Sequence, residues 1–226
     1  MSLGRGPRVV LLGKQGAGKG TQATRVAEHY AISHLATGDV FRAAARDKTP
    51  LGLEAKQYID RGELVPDAIV IGVVREYLEY NDRSLVEAGF VLDGFPRTQI
   101  QAVELDVALQ GDPLDVIVNL DVPTEVVLTR IAGRRVCVQC GANYHVDSPP
   151  AEPWWCDKCG GHVVQRDDDR EDSVMRRLEL YEIQTLPVIQ YYRRTGRLVN
   201  VPGQGESDEV FAAVVDAIDA RWELRR

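Results

Sequence analysis

Short unbroken apolar runs alternate along this chain with longer stretches of helical periodicity. RVVLLG at 8–13, GFVLDG at 89–94, DVIVNLDV at 115–122 and GRLVNVPG at 196–203 are each edged by Gly, Asp or Pro. Runs of this length without polar alternation predict strands covered on both faces, as in a parallel sheet. Between them the spacing predicts helices over 19–30, 67–80, 99–109, 124–134, 172–194 and 207–222. Pro187 falls inside the fifth and should kink it. Ser207 stands where an N-cap would open the last. This β-α alternation predicts an α/β three-layer sandwich.

Two segments interrupt the alternation. Residues 38–66 read as helical without a strand, and 135–166 hold Pro149, Pro150 and Pro153 with little helical periodicity. Both have the form of insertions between core elements. The second carries all four cysteines, Cys137 and Cys140 in one C-x-x-C pair and Cys156 and Cys159 in the other. Two such pairs about 15 residues apart fit a four-thiolate site for zinc or a similar tetrahedral metal. Four thiolates leave no open position for water, so the metal would be structural. Two disulfides, a redox pair and an iron centre are the competing readings; disulfides are disfavoured in a chain without an export signal. His145 and His162 lie nearby, but the four thiolates already complete a tetrahedron.

Composition narrows the classes. At 226 residues the chain can bury a sizeable core. No apolar run approaches a membrane span, and the first ten residues show no apolar leader, so a cytoplasmic protein is expected. A net charge of −7 argues against general nucleic-acid binding. Arginine dominates the basic residues, with only five lysines among 27.

The chemistry begins with GKQGAGKGT, Gly13 to Thr21, which follows a predicted strand and opens a predicted helix. Backbone N–H groups of Gly16, Ala17, Gly18, Lys19 and Gly20 can converge there on an anion, and Lys19 can reach β- and γ-phosphates. The strict phosphate-loop pattern asks for Ser or Thr after the lysine, whereas Gly20 precedes Thr21 here. Next, FVLDGFPRTQIQ ends a strand in Asp93, whose carboxylate can hold Mg²⁺ through water beside phosphates. Arg97 follows in a turn set by Gly94 and Pro96. Arg42, Arg97, Arg130, Arg134, Arg166 and Arg177 sit where fixed cations could stabilise phosphoryl transfer. Spacing alone does not separate these six from solvated arginines.

GAGKGTQA, LATGDVFR, GELVPD, LDGFPRTQIQ, RIAGRRVC and QRDDDREDSVMRRLELY, taken in order, resemble adenylate kinase, in its bacterial form with a four-cysteine zinc lid. The resemblance covers residues 8 to about 205, and the G-K-G-T spelling is the family's own. It implies a P-loop NTPase fold with a five-stranded parallel sheet and transfer from MgATP to AMP giving two ADP. It also implies a division into core (1–36, 67–133 and 169–226), an AMP-binding flap (37–66) and a zinc-stapled lid (134–168). By motif match, Thr37 and Gln101 face the AMP base, with Glu63, Leu64 and Val65 passing along it through their backbone. Arg42 and Arg97 take the AMP phosphate, within the turn Gly94-Phe95-Pro96-Arg97. Arg130, Arg134, Arg166 and Arg177 surround the transferring group, with Lys19 and Asp93. Gly16 to Thr21, Arg134, Asn143, Tyr144 and Gln204 are expected around ATP. Asp168 and Asp169 match acidic positions at the lid hinge, while Asp167 reads equally well as a solvated acid. The expected partners are ATP, AMP and ADP, with no nucleic acid or membrane, for a monomer. The family usually has a small residue then Pro where this chain has Lys14 and Gln15, which leaves open whether Lys14 adds a cation near the phosphates. The alternative is a zinc-ribbon interaction or nucleic-acid module on a nucleotide switch; its ribbon holds Trp154 and Trp155 but only Lys158 as a cation beyond Cys140.

Overall fold

The structure, a computed structural model, describes residues 5–80, 88–109 and 113–225. Its main sheet has five parallel strands in the order β2-β3-β1-β4-β8: β1 (Arg8–Gly13), β2 (Ser33–Ala36), β3 (Phe90–Asp93), β4 (Val116–Asp121) and β8 (Leu198–Pro202). All four predicted strands are present. The fifth, β2, was not legible as a strand in its own right. SHLA is short and half polar, and it is an edge strand whose extension comes from pairing with β3, Ser33 against Phe90 through Ala36 against Asp93.

Alternation inside each strand divides the core in two. Val10, Leu12, Leu92 and Ile117 face one layer, which includes Phe41, Ala102, Leu105, Val188 and Tyr192. Val9, Leu11, Val91, Val118 and Leu120 face the other, with Val26, Val127, Ile131, Val214 and Ile218. Helices α2 (Thr37–Arg46), α3 (Pro50–Asp60), α4 (Asp67–Tyr80), α5 (Gln99–Ala108) and α8 (Leu186–Arg194) contribute to the first layer. Helices α1 (Lys19–Tyr30), α6 (Thr124–Gly133), α7 (Glu171–Leu180) and α9 (Ser207–Trp222) contribute to the second. Apolar strands covered on both faces are what a wholly parallel sheet requires.

The predicted 172–194 helix is interrupted by one π-helical turn, Tyr181–Thr185, just before Pro187 at the start of α8. A proline cannot donate to the carbonyl one turn back, and the wider turn absorbs that mismatch. Ser207 does not cap α9. Glu206 holds the extended cap position without a side-chain bond, and the Ser207 hydroxyl accepts from Arg25 Nη1 at 3.1 Å.

Between α6 and α7 the chain builds a separate three-stranded antiparallel sheet, β6-β5-β7, from β5 (Arg134–Cys137), β6 (Asn143–His145) and β7 (Val163–Val164). Among the described residues its buried cluster is Cys137, Cys156 and Val163, with Ala142 and Tyr144 against it. Among the described residues, no helix is long and apolar enough to cross a membrane.

Candidate active site

The strands of the main sheet point their carboxyl ends to one edge, where ligands of open α/β sheets bind. The β1–α1 loop lies there. Gly16 and Gly18 both have positive φ, +77° and +97°, which a side chain would oppose. A Cβ on Gly16 would also strike Ile131 Cγ1 at 2.7 Å, whereas the space beside Gly18 is open. Ala17 is buried, and Thr21, the third residue of α1, is exposed. The loop thus turns tightly against α6 and runs directly into the N-terminus of α1, a ready anion site.

Lys19 folds back over this loop, donating to the Gly13 and Lys14 carbonyls at 2.8 Å each. Burial pushes its ammonium down to about 8; Asp93 opposes that shift, and Arg97, Arg134 and Arg177 add to it. The absence of Ser after Lys19 has a steric counterpart. A Cβ on Gly20 would stand 3.3 Å from Asp93 Oδ2, so the end of β3 brings a carboxylate to the place where the usual hydroxyl would be. That is an oxygen donor suited to Mg²⁺ beside phosphates.

Arginines from distant segments crowd the same edge. Arg177 Nη1 pairs with Asp168 Oδ2 at 2.6 Å, and Arg42 Nη1 is 4.0 Å from the same oxygen. Arg42 also donates to Asp39 at 2.5 Å. Arg134 forms a two-bond fork with Asp169, its Nε to Oδ2 at 2.8 Å and its Nη2 to Oδ1. Arg97 is held by its Nε on the Gly94 carbonyl at 2.8 Å. Burial, followed by Arg177, pushes Arg97 below the usual guanidinium value. Burial, followed by Arg42 and Arg134, does the same to Arg166. Arg166 Nε and Arg177 Nε are buried and have no hydrogen-bond partner among the described residues. Mutually repelling cations with unused donors form a receptor for multivalent anions.

Asp168 and Asp169 are 3% and 4% exposed, whereas the Asp167 side chain is 75% exposed. The first two are therefore buried partners of arginines and the third is a solvated acid. Burial raises the Asp168 pKa, but Arg177, Arg42 and Arg166 outweigh it and hold the carboxyl below its ordinary value.

Arg130 is placed differently from the other arginines. It donates to Gly203 O at 2.9 Å and to Ala17 O at 3.5 Å, joining the phosphate loop to the turn that carries exposed Gln204. Lys14 does not lie over the loop. Its ammonium bonds Val122 O at 3.3 Å and Thr124 Oγ1 at 3.0 Å, at the start of α6. Gln15 donates to Asp169 Oδ1 at 3.2 Å, a link from the phosphate loop to the turn before α7 that the sequence did not reveal.

Across the sheet edge, Thr37 is buried and donates to Gly94 O at 3.1 Å. Phe95 is buried under the Gly94–Arg97 turn, and Pro96 is buried beside it. Gln101, 2% exposed, lies in the first turn of α5 beneath the same turn. The Glu63 carboxylate pairs outward with Arg61 at 2.9 Å, Leu64 is half-buried, and Val65 packs into the core.

In the small sheet, Cys137 and Cys159 sulfurs are 3.5 Å apart, as are those of Cys140 and Cys156, and all four lie within 4.8 Å of one another. A disulfide needs about 2 Å, whereas a tetrahedron of four Zn–S bonds of about 2.3 Å places its sulfurs apart on this scale. The close pairs join opposite knuckles, so one centre is shared. The Tyr144 hydroxyl donates to Cys156 Sγ at 3.3 Å and accepts from Asp157 N at 2.9 Å. That bond is the main reason the Cys156 thiol is drawn down to about 6. The Tyr144 hydroxyl thus serves the cysteine cluster rather than the phosphate loop, while Asn143 beside it is exposed. His162 stacks on Trp155 and His145 accepts from Asp147 N, so neither joins the four sulfurs.

The profile of the family described as Adenylate kinase matches residues 11–197. Curated relatives carry the same description. One from Bacillus subtilis (strain 168) is 50% identical over 213 residues, 93% of this chain and 97% of the relative. One from Carboxydothermus hydrogenoformans is 49% identical over 93% of this chain and 99% of the relative. One from Thermodesulfovibrio yellowstonii is 49% identical over 95% of this chain and the whole of the relative.

Proposed function

The chain belongs to the adenylate kinase family, and from that premise we propose that its site transfers the γ-phosphoryl group of ATP to AMP, yielding two ADP. The reading rests on one observation above all. Lys19, Arg97, Arg134, Arg166 and Arg177 come from five separate segments, yet they meet at one edge: Arg97, Arg134 and Arg177 stand near enough to add to the lowering of Lys19, Arg177 to that of Arg97, and Arg134 to that of Arg166.

In this reading the β1–α1 loop and Lys19 hold the β- and γ-phosphates of the donor. Arg42 and Arg97 hold the phosphate of AMP, whose base lies by Thr37, Gln101 and the backbone of residues 63–65. Asn143, Tyr144 and Gln204 border the ATP nucleoside. An oxygen of the AMP phosphate attacks Pγ, the bond from Pγ to the bridging oxygen breaks, and the electron pair leaves with ADP. Arg134, Arg166 and Arg177 face the charge that spreads over the equatorial oxygens. The Mg²⁺ that accompanies ATP supplies further charge neutralisation, and Asp93 is the carboxylate placed to hold its water shell.

Residues 37–66 and 134–168 act as flaps that close over AMP and ATP, excluding water so that AMP is the acceptor. Cys137, Cys140, Cys156 and Cys159 hold Zn²⁺ as a cross-link within the second flap. The reading is completed by a monomer acting in the cytoplasm. A ribbon module on a nucleotide switch is not favoured, since the family match runs through both insertions.

The test is ADP formation from MgATP with and without AMP. Turnover that depends on AMP and forms two ADP per cycle is expected. ATP hydrolysis indifferent to AMP, or no turnover at all, would overturn the assignment.

A further inference from the structure

Beneath the Gly94–Arg97 turn lies a residue that neither the sequence motifs nor the family description singles out. Asp67 is the first residue of α4. Its Oδ1 accepts from Gln101 Nε2 at 2.7 Å, and its Oδ2 accepts from Thr98 Oγ1 at 3.0 Å. Thr98 in turn caps α5 by accepting from Gln101 N at 3.2 Å. On its other side, Gln101 Oε1 accepts from Arg97 N at 2.7 Å.

These contacts fix which way round the carboxamide sits. An ionised carboxylate only accepts, and a backbone N–H only donates. With Asp67 on one side and Arg97 N on the other, Nε2 must face the first and Oε1 the second. Turning the amide over would set oxygen against carboxylate oxygen and N–H against N–H. The side chain is 2% exposed, so water does not compensate.

Each end of the amide keeps one further capacity, a second N–H on Nε2 and a second lone pair on Oε1. A 6-aminopurine edge offers the complement, an acceptor at N1 and a donor at N6. A 6-oxopurine offers the reverse, a donor at N1 and an acceptor at O6. A glutamine free to turn over would suit both, whereas one held in place suits the first.

We propose that Asp67 is the specificity-determining positioning residue of the acceptor site: through its contact with Gln101 it makes the amide read a 6-aminopurine and reject a 6-oxopurine. This deepens the acceptor reading given above and rests on it, since Gln101 must face the acceptor base.

The experiment measures kcat/KM for AMP and for IMP at saturating MgATP, in the unaltered enzyme, Asp67→Ala, Asp67→Ser and Gln101→Ala. Serine keeps a small polar side chain at this position, but its hydroxyl both donates and accepts and cannot impose one amide orientation. The AMP-to-IMP ratio is expected to fall at least about tenfold in both Asp67 variants and in Gln101→Ala, with KM for ATP unchanged. A merely structural role would lower both rates by one factor and leave the ratio intact. If Gln101→Ala collapses the ratio while whichever Asp67 variant folds preserves it, the role of Asp67 is overturned and the acceptor reading stands. If Gln101→Ala itself preserves the ratio, the acceptor reading fails, and the inference with it.

Discussion

Titration of Lys19 should govern how the enzyme captures ATP at alkaline pH. Its ammonium is enclosed by the loop carbonyls, and burial pushes its pKa from 10.5 to about 8. The charged form is the competent one and predominates below that value, so activity that depends on it is present at neutral pH and lost as pH rises. The profile of kcat/KM for a substrate reports groups of the free enzyme. With one group at about 8, kcat/KM for MgATP should fall about tenfold per unit at the alkaline extreme, and about 30-fold between pH 7 and 9.5. Bound phosphates stabilise the ammonium, so the pKa rises in the complex. The loss should therefore appear as a rising KM for ATP, with kcat nearly level and with kcat/KM for AMP at saturating ATP also level. ADP would be quantified directly by chromatography, avoiding coupling enzymes with pH limits of their own. Lys19→Arg should remove the alkaline limb, because a guanidinium stays charged there, whatever its basal rate. Equal alkaline limbs in the two proteins, or a flat profile for the unaltered enzyme, would refute the reasoning.

Lys19→Met, which removes the cation altogether, should lower kcat by at least about 10²-fold in a protein that still folds, read by turnover and circular dichroism. Cys156→Ser with Cys159→Ser, or metal removal by chelation, should lower the melting temperature by several degrees, since the buried cluster beside the small sheet is Cys137, Cys156 and Val163. Phosphoryl transfer below the new transition should survive within about tenfold, because the cations at the reacting group come from elsewhere; metal content and melting curves on one sample check both. Asp168→Ala should destabilise the fold by about 3 kcal/mol at pH 7, by leaving Arg177 buried without its partner. The Asp168 carboxyl is held low in the folded state, so its contribution is present above its unfolded pKa and lost as pH falls through the folded one. The gap between variant and parent in urea melts should accordingly narrow in acid. Gly16→Ala should weaken MgATP binding by titration calorimetry at least about tenfold, because its φ of +77° and the 2.7 Å approach to Ile131 force the loop to move.

What could be read from the chain, and what could not, divides by the range of the forces involved. β1, β3, β4 and β8 were legible because continuous apolar runs have no other stable home in a chain of this size. SHLA at 33–36 carried no such pattern and is a strand because β3 is beside it. Ser207 had the chemistry of a cap but stands one position inside the helix, a shift that composition does not encode. The phosphate loop was legible because its glycines, lysine and helix are contiguous. Asp67 lies within GELVPD, but its role depends on Gln101, 34 residues away, which no local pattern encodes.

The arginines show the same limit and its reason. No spacing rule could select them, because three of them, Arg42, Arg134 and Arg177, face two adjacent acids in one turn, Asp167–Asp169, between the small sheet and α7. Asp168 holds Arg177 from α7 and stands near Arg42 from α2, while Asp169 holds Arg134 at the base of the small sheet and Gln15 from the phosphate loop. One short turn thereby joins α7, the base of the small sheet and the phosphate loop, with Arg42 of α2 close by. The acids set the guanidiniums in place before any nucleotide arrives, and preorganised charge stabilises a transition state without reorganising during the reaction. They do not use every donor: Arg166 Nε and Arg177 Nε lie buried and unmatched among the described residues. In the proposed reading, a phosphate entering this edge would complete a set of bonds already half made. Full neutralisation by the acids would hold the cations but leave nothing for the substrate, and no acids would leave them to repel one another apart.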